Sequence, residues 1–265
     1  MRKCIAIASL IPSVCCAQGS LHESPLGTQV ESSFVLAGKV VPLPPGPFTL
    51  VHVAGRTAAR TGVLNPFRSG PAPLDAPATD LIEVLLVQAD GARLRMTVSA
   101  RVNAGAGERW GGSRCGGRDL LFRLDRAPGA LERGDCVTMW SLHRYLYNPA
   151  GDREQRVAER LAGRGVALPV RTLIQGALTR IEGDQFLQVS YGVNPEAFGL
   201  PEDPHPGRQP SLWHPQRIHL DPKRAAFAQA LQQWMVSLRY VAEQGLRGDP
   251  IHPAAIPTLQ LPAGS

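Results

Sequence analysis

Asp135, Ser141 and His143 lie close together in the chain and are the residue types of an acid, a nucleophile and a base. Such a set works only when nucleophile and base are within hydrogen-bond reach. The segment reads as a strand, where residues two apart share a face but sit roughly 7 Å apart along it. No dyad is therefore expected of Ser141 and His143. Gly111-Gly112-Ser113-Arg114-Cys115 has the serine of a nucleophile elbow but puts a cysteine where the second glycine must be. Gly105-Ala106-Gly107-Glu108-Arg109-Trp110 starts as a dinucleotide loop but carries Trp110 where the third glycine lets helix and strand approach. His205, His214 and His219 could offer imidazoles to copper or zinc, yet their gaps fit no standard ligand spacing. Glu182, Asp184 and Glu196 read as solvated carboxylates near turns. No catalytic constellation emerges, and neither a cofactor nor a metal is expected.

Cysteine placement is more informative. Of the five cysteines, Cys4, Cys15 and Cys16 fall in the first sixteen residues, leaving Cys115 and Cys136. A basic start, Arg2-Lys3, precedes an apolar stretch from Cys4 to Cys16 and then Ala17-Gln18. This is the layout of a secretory signal, too short to span a bilayer as a helix of ~20 residues would. Cleavage after Ala17 is expected. Lipid anchoring is disfavoured, because neither Cys15 nor Cys16 follows the small residues that a lipobox requires. Residues 1–17 are thus assigned to a signal peptide, and the location to the periplasm or the exterior. There a Cys115–Cys136 disulfide can form and persist. The leader takes two positive charges with it, reducing the net charge from +6 to +4. The remaining basic residues are scattered arginines, so no nucleic-acid stripe is read.

The elements that must position any site follow from periodicity and turn chemistry. Residues 18–32 are polar and small, and read as a mobile lead-in. A strand is expected from Phe34 to Val41 and another from Phe48 to Val53, across Pro45-Gly46 in a type II turn, making a hairpin or a sheet corner. A hairpin joins Leu81–Val87 to Leu94–Val102 through Asp90-Gly91, with Arg93, Arg95 and Arg101 on a solvated face. Leu120–Leu124 and Cys136–Trp140 read as strands, and a helix starts at Asp152 with Val157 and Leu161 as its stripe. Arg171–Ile181 and Phe186–Val193 form a second hairpin around Gly183-Asp184. The clearest helix starts at Asp221-Pro222 and repeats Phe227, Leu231, Trp234, Leu238 and Val241 at helical spacing.

Leu43-Pro44-Pro45-Gly46-Pro47-Phe48, Tyr191-Gly192-Val193-Asn194-Pro195-Glu196 and the late tryptophan-bearing helix together resemble a group of uncharacterised proteobacterial exported proteins. The resemblance implies export and a whole-domain reading, and it carries no chemistry.

The expected fold is α+β: mostly antiparallel sheet from hairpins, one long amphipathic C-terminal helix and one shorter helix, in a single domain over 33–248 with a tail over 249–265. The expected function is an exported, non-catalytic binding or accessory protein with an unknown protein or small-molecule partner. The alternative is a hydrolase-type enzyme whose site is assembled from distant strands. A buried carboxylate beside a histidine in a cleft would favour the enzyme, and an exposed apolar patch without one the binder. The proline-rich connection 194–221 is the expected binding element, with Phe198, Trp213 and His214 as its contacts. A partly exposed Trp213 fits that role, whereas a hidden one marks a plug of the core.

Overall fold

The computed structural model describes residues 19–55, 81–103, 115, 119–125, 135–145, 152–168, 170–182, 185–203 and 211–261. The leader, the Gly105–Trp110 and Ser113 motifs, the Gly183-Asp184 turn and His205 lie outside the described residues.

The strands are β1 (Gln29–Val30), β2 (Ser33–Leu36), β3 (Lys39–Pro42), β4 (Phe48–Gly55), β5 (Leu81–Asp90), β6 (Arg93–Asn103), β7 (Phe122–Asp125), β8 (Cys136–Tyr145), β9 (Val170–Glu182) and β10 (Gln185–Val193). The helices are α1 (Asp152–Gly163) and α2 (Pro222–Leu246). Eight strands form one antiparallel sheet in the order β1-β4-β5-β6-β10-β9-β8-β7, and β2 pairs with β3 separately. The architecture is α+β.

Both faces of the sheet are covered, which explains the unbroken apolar run of β5. Ile82, Val84 and Leu86 face α2, with Val98, Tyr191, Ile174, Val137 and Met139. Leu85 and Val87 face α1, with Val51, Val157, Leu161 and Leu173. Asp221 caps α2: its side chain accepts from the backbone N–H groups of Lys223 and Arg224 at 3.0 and 3.1 Å, and Pro222 occupies the first helical position, where no donor is needed. The stripe read from the sequence is buried along its length, and each such side chain contributes ~1.5–3 kcal/mol. Gly176 on β9 leaves room for Met235, whose sulfur would lie 2.8 Å from an added Cβ. Gly245, in the last turn of α2, rests on the Val40 carbonyl of β3, with which a Cβ would overlap.

Several expectations are corrected. Phe34–Val41 is two strands, because Ala37 and Gly38 both adopt positive φ (46° and 77°), the conformation that turns a tight hairpin. The Pro45-Gly46 bend needs no correction: Gly46 has the positive φ (104°) of a type II turn, and of the two expected outcomes the chain makes the sheet corner. The β5–β6 turn is centred on Gly91-Ala92, since Asp90 pairs with Arg93. The three arginines of β6 do not share a solvated face. Arg101 pairs with Glu83, and Arg95, at a break in register, stacks over the Phe198 ring at 4.9 Å.

The lead-in is ordered: Leu21 is buried in the core and β1 pairs with β4. The tail is also anchored, through buried Ile251 and Ile256 and through Trp234, whose indole N–H donates to the Pro257 carbonyl at 2.7 Å. Cys115 and Cys136 form a disulfide, with Cα atoms 5.9 Å apart. No helix among the described residues is long and apolar enough to cross a membrane.

Candidate functional site

The polar groups with chemical potential gather where β8 outruns β7. The shorter strand pairs only with Cys136–Met139, so Trp140–Tyr145 has no β7 neighbour. Along β8 the face toward α2 carries Val137 and Met139, both buried, then Ser141 and His143, both half-buried. Thr172 of β9 lies opposite His143 and is buried.

Ser141 Oγ and His143 Nε2 are 3.0 Å apart. This corrects the expectation from spacing, which measured the strand and not the side chains. Residues two apart on a face can lean together, and an imidazole spans most of the gap. Burial lowers the His143 pKa; the Asp203 carboxylate partly opposes this, and His214 adds to the lowering. The ring is therefore neutral near pH 7, with a single N–H. Its Nδ1 is buried and has no hydrogen-bond partner among the described residues.

The described parts of segment 194–221 pack on β6, β9 and α2, and their order comes from a few buried polar groups. The Asn194 side chain accepts from the Glu196 N–H at 3.1 Å and donates to the Leu94 carbonyl at 2.8 Å. Asp203, 1 % exposed, accepts from the Ser211 hydroxyl, whose oxygen in turn accepts from the Trp213 N–H at 2.9 Å. Arg224, buried in the first turn of α2, binds Asp221, donates to the Pro201 carbonyl at 2.8 Å and lies 5.6 Å over the Trp213 ring. Sequence reading missed Arg224 and Asp203, whose partners are distant in the chain.

Of the three expected contact residues Trp213 is hidden, while Phe198 and His214 are half-buried. Trp213 is 1 % exposed and meets Phe227 edge to face, with centroids 5.7 Å apart. That is the plug and not the exposed platform, because Phe227 and Arg224 of α2 both lie against the indole. Phe198 is partly buried between Phe227 and Arg95. His214 accepts from the Gln216 N–H at Nδ1 (3.2 Å), so its Nε2–H faces Asp119 Oδ1, also at 3.2 Å. His219 is exposed. The Asp125 carboxylate lies beside Cys115 and Cys136, but those sulfurs are bonded to each other and are not thiolate ligands.

A second polar cluster lies on the α1 face. A bulge between Leu50 and His52 turns Val51 and His52 onto the same side of β4. His52 is 4 % exposed, and neither ring nitrogen has a hydrogen-bond partner among the described residues. Burial lowers its pKa; Arg153, Arg160 and Arg156 push the same way, and Glu83 opposes them. Buried Glu83 binds Arg101 of β6, with Nε 3.0 Å away, and Arg153 of α1. Arg160 donates to the Val51 carbonyl at 2.8 Å. Two arginines thus fasten α1 to the sheet. A cavity of about 190 Å³ lies nearby, lined by Gln29, Thr49, Val87, Arg164 and Val166 among others, and contains no histidine of either cluster.

No protein-family model matches the chain, and no curated protein or solved structure does so either.

Proposed function

We propose that the protein is an exported, non-catalytic binding or accessory protein of the bacterial periplasm, with its ligand contact at the edge formed by Ser141, His143, His214 and Asp119. The bare Nδ1 of His143 carries this reading. No described residue pairs with that nitrogen, so no third group holds the ring in the tautomer whose Nε2 could accept the Ser141 proton. A serine nucleophile requires a base oriented in this way. The Cys115–Cys136 disulfide and the resemblance to exported proteins support the location.

One observation favours a hydrolase as a second reading: the buried Asp203 carboxylate lies close enough to His143 for its charge to be felt there. A fluorophosphonate probe separates the two. The binding reading expects no adduct on Ser141 by intact mass, together with shifts of the His143 and His214 ring signals on titration with a panel of amino acids, sugars and short peptides. A Ser141 adduct abolished by His143→Gln would overturn it in favour of the enzyme. Export is checked separately by the mature N-terminus, expected at Gln18.

A further inference from the structure

Where α1 ends, the sheet face beneath it continues. Gln29 of β1, Thr49 of β4 and Val87 of β5 are cross-strand neighbours in one row. Val87 belongs to the core on the α1 side, so the row faces that side. The helix stops at Gly163. Gly165, with φ of 77°, turns the chain back, and the Val166 N–H donates to the Leu161 carbonyl at 3.0 Å. The Ala167 N–H then donates to the Ala92 carbonyl at 2.7 Å, which ties the segment to the β5–β6 turn. This segment and the row together line the cavity of about 190 Å³, with Pro47 and Ala89 as further walls. Its polar side chains have nothing to bind. Arg164 has no ion-pair partner among the described residues, and the Gln29 amide and Thr49 hydroxyl have no hydrogen-bond partner there. Arg164 reaches as far as Gly27, its Nη1 3.6 Å from where a Cβ would stand.

We propose that this cavity binds a small carboxylic acid of about three to five carbons, as its anion. Charge selects the sign. One guanidinium and no acidic residue line the cavity, and the planar fork of an arginine matches a carboxylate through two parallel hydrogen bonds. Gln29 and Thr49 supply donors for the remaining lone pairs, or partners for a hydroxyl on the chain. An amino acid fits less well, because its ammonium would meet no negative charge. A phosphate dianion fits less well too, since its excess charge would face the buried side chains of Val87 and Val166. A short alkyl chain suits those two walls. Size sets the rest: the volume equals about six waters at ~30 Å³ each, room for a carboxylate and a short chain but not for a hexose. Three of the lining residues stand in register on paired strands, so the site is formed before the ligand arrives. It lies on the opposite face of the sheet from Ser141 and His143, and does not depend on what the β8 edge holds.

Titration of the whole mature chain with butyrate, followed by amide NMR, tests it. Saturable shifts are expected at Thr49, Val87 and Val166, with a Kd of about 1 mM for so small a ligand. Arg164→Gln should weaken binding about tenfold, the loss of a charge-assisted hydrogen bond. Its thermal melt should stay unchanged, because Arg164 is exposed. Ala89→Leu, which fills the cavity from an exposed position, should abolish binding. Butylammonium and inorganic phosphate at the same concentrations should leave these signals in place. No saturation by about 50 mM, equal shifts with butylammonium or phosphate, or an affinity indifferent to Arg164→Gln or Ala89→Leu would each overturn the proposal.

Discussion

The Tyr191 hydroxyl donates to the Pro42 carbonyl at 2.9 Å, joining strand β10 of the main sheet to the last residue of the small β2–β3 hairpin. Both partners are buried, and the Tyr191 ring stands edge-on to Trp234 at 5.1 Å. Burial also raises the phenol pKa, so the bond persists across the usable pH range. The pair fixes the hairpin, and through it the surface on which the last turn of α2 rests.

Tyr191→Phe keeps the ring and strands the Pro42 carbonyl. The expected loss is about 1–3 kcal/mol, the cost of leaving a buried acceptor unpaired. A denaturant melt should show a lower midpoint at unchanged slope. No change would mean that water reaches Pro42.

Trp213 should resist acrylamide quenching, and Trp213→Ala should cost about 3–5 kcal/mol as other buried large-to-small changes do. Readily quenched emission assigned to Trp213 by comparison with Trp213→Phe would contradict its place under Arg224 and Phe227.

Acidification should loosen the fold through His52. An unfolded imidazole takes up a proton near its usual value of 6.5, whereas buried His52 does so only at lower pH. Between those values the unfolded state binds more protons, so stability falls as pH falls from about 6.5. His143 acts with the same sign. Glu196 acts oppositely, its carboxyl being held above the usual value by burial first and Glu202 second. The comparison is therefore between variants: His52→Leu should lose less stability than the parent from pH 7 to 5. Parallel profiles would show that His52 does not contribute.

Replacing Cys115 and Cys136 together by serine opens a loop with a sequence separation of 21, and should cost ~3 kcal/mol on the chain-entropy model. The native chain should gain two hydrogens in mass on reduction. Two alkylatable thiols without reductant would refute the bond.

Local chemistry was the part of the fold that could be read in advance. Asp221-Pro222 announced α2, and the repeats of Phe227, Leu231, Trp234 and Leu238 announced the face it buries, because cap and stripe lie within one segment. The Ala37-Gly38 turn escaped notice because alanine rarely takes positive φ and gives no signal there. The bulge that delivers His52 depends on pairing with β5, which no local pattern encodes. No local pattern encodes the contacts that Trp213 and His214 make. Their environment is set by Arg224, Phe227 and Asp119, which only the tertiary fold assembles.

The contact of Gly245 with the Val40 carbonyl also bears on ancestry. Any side chain at position 245 would force α2 off the hairpin, so descendants that keep this packing are confined to glycine there. Together with an aspartate-proline start and a tryptophan midway between them, that lone glycine is a fingerprint by which distant kin of this chain could be told from chance resemblance.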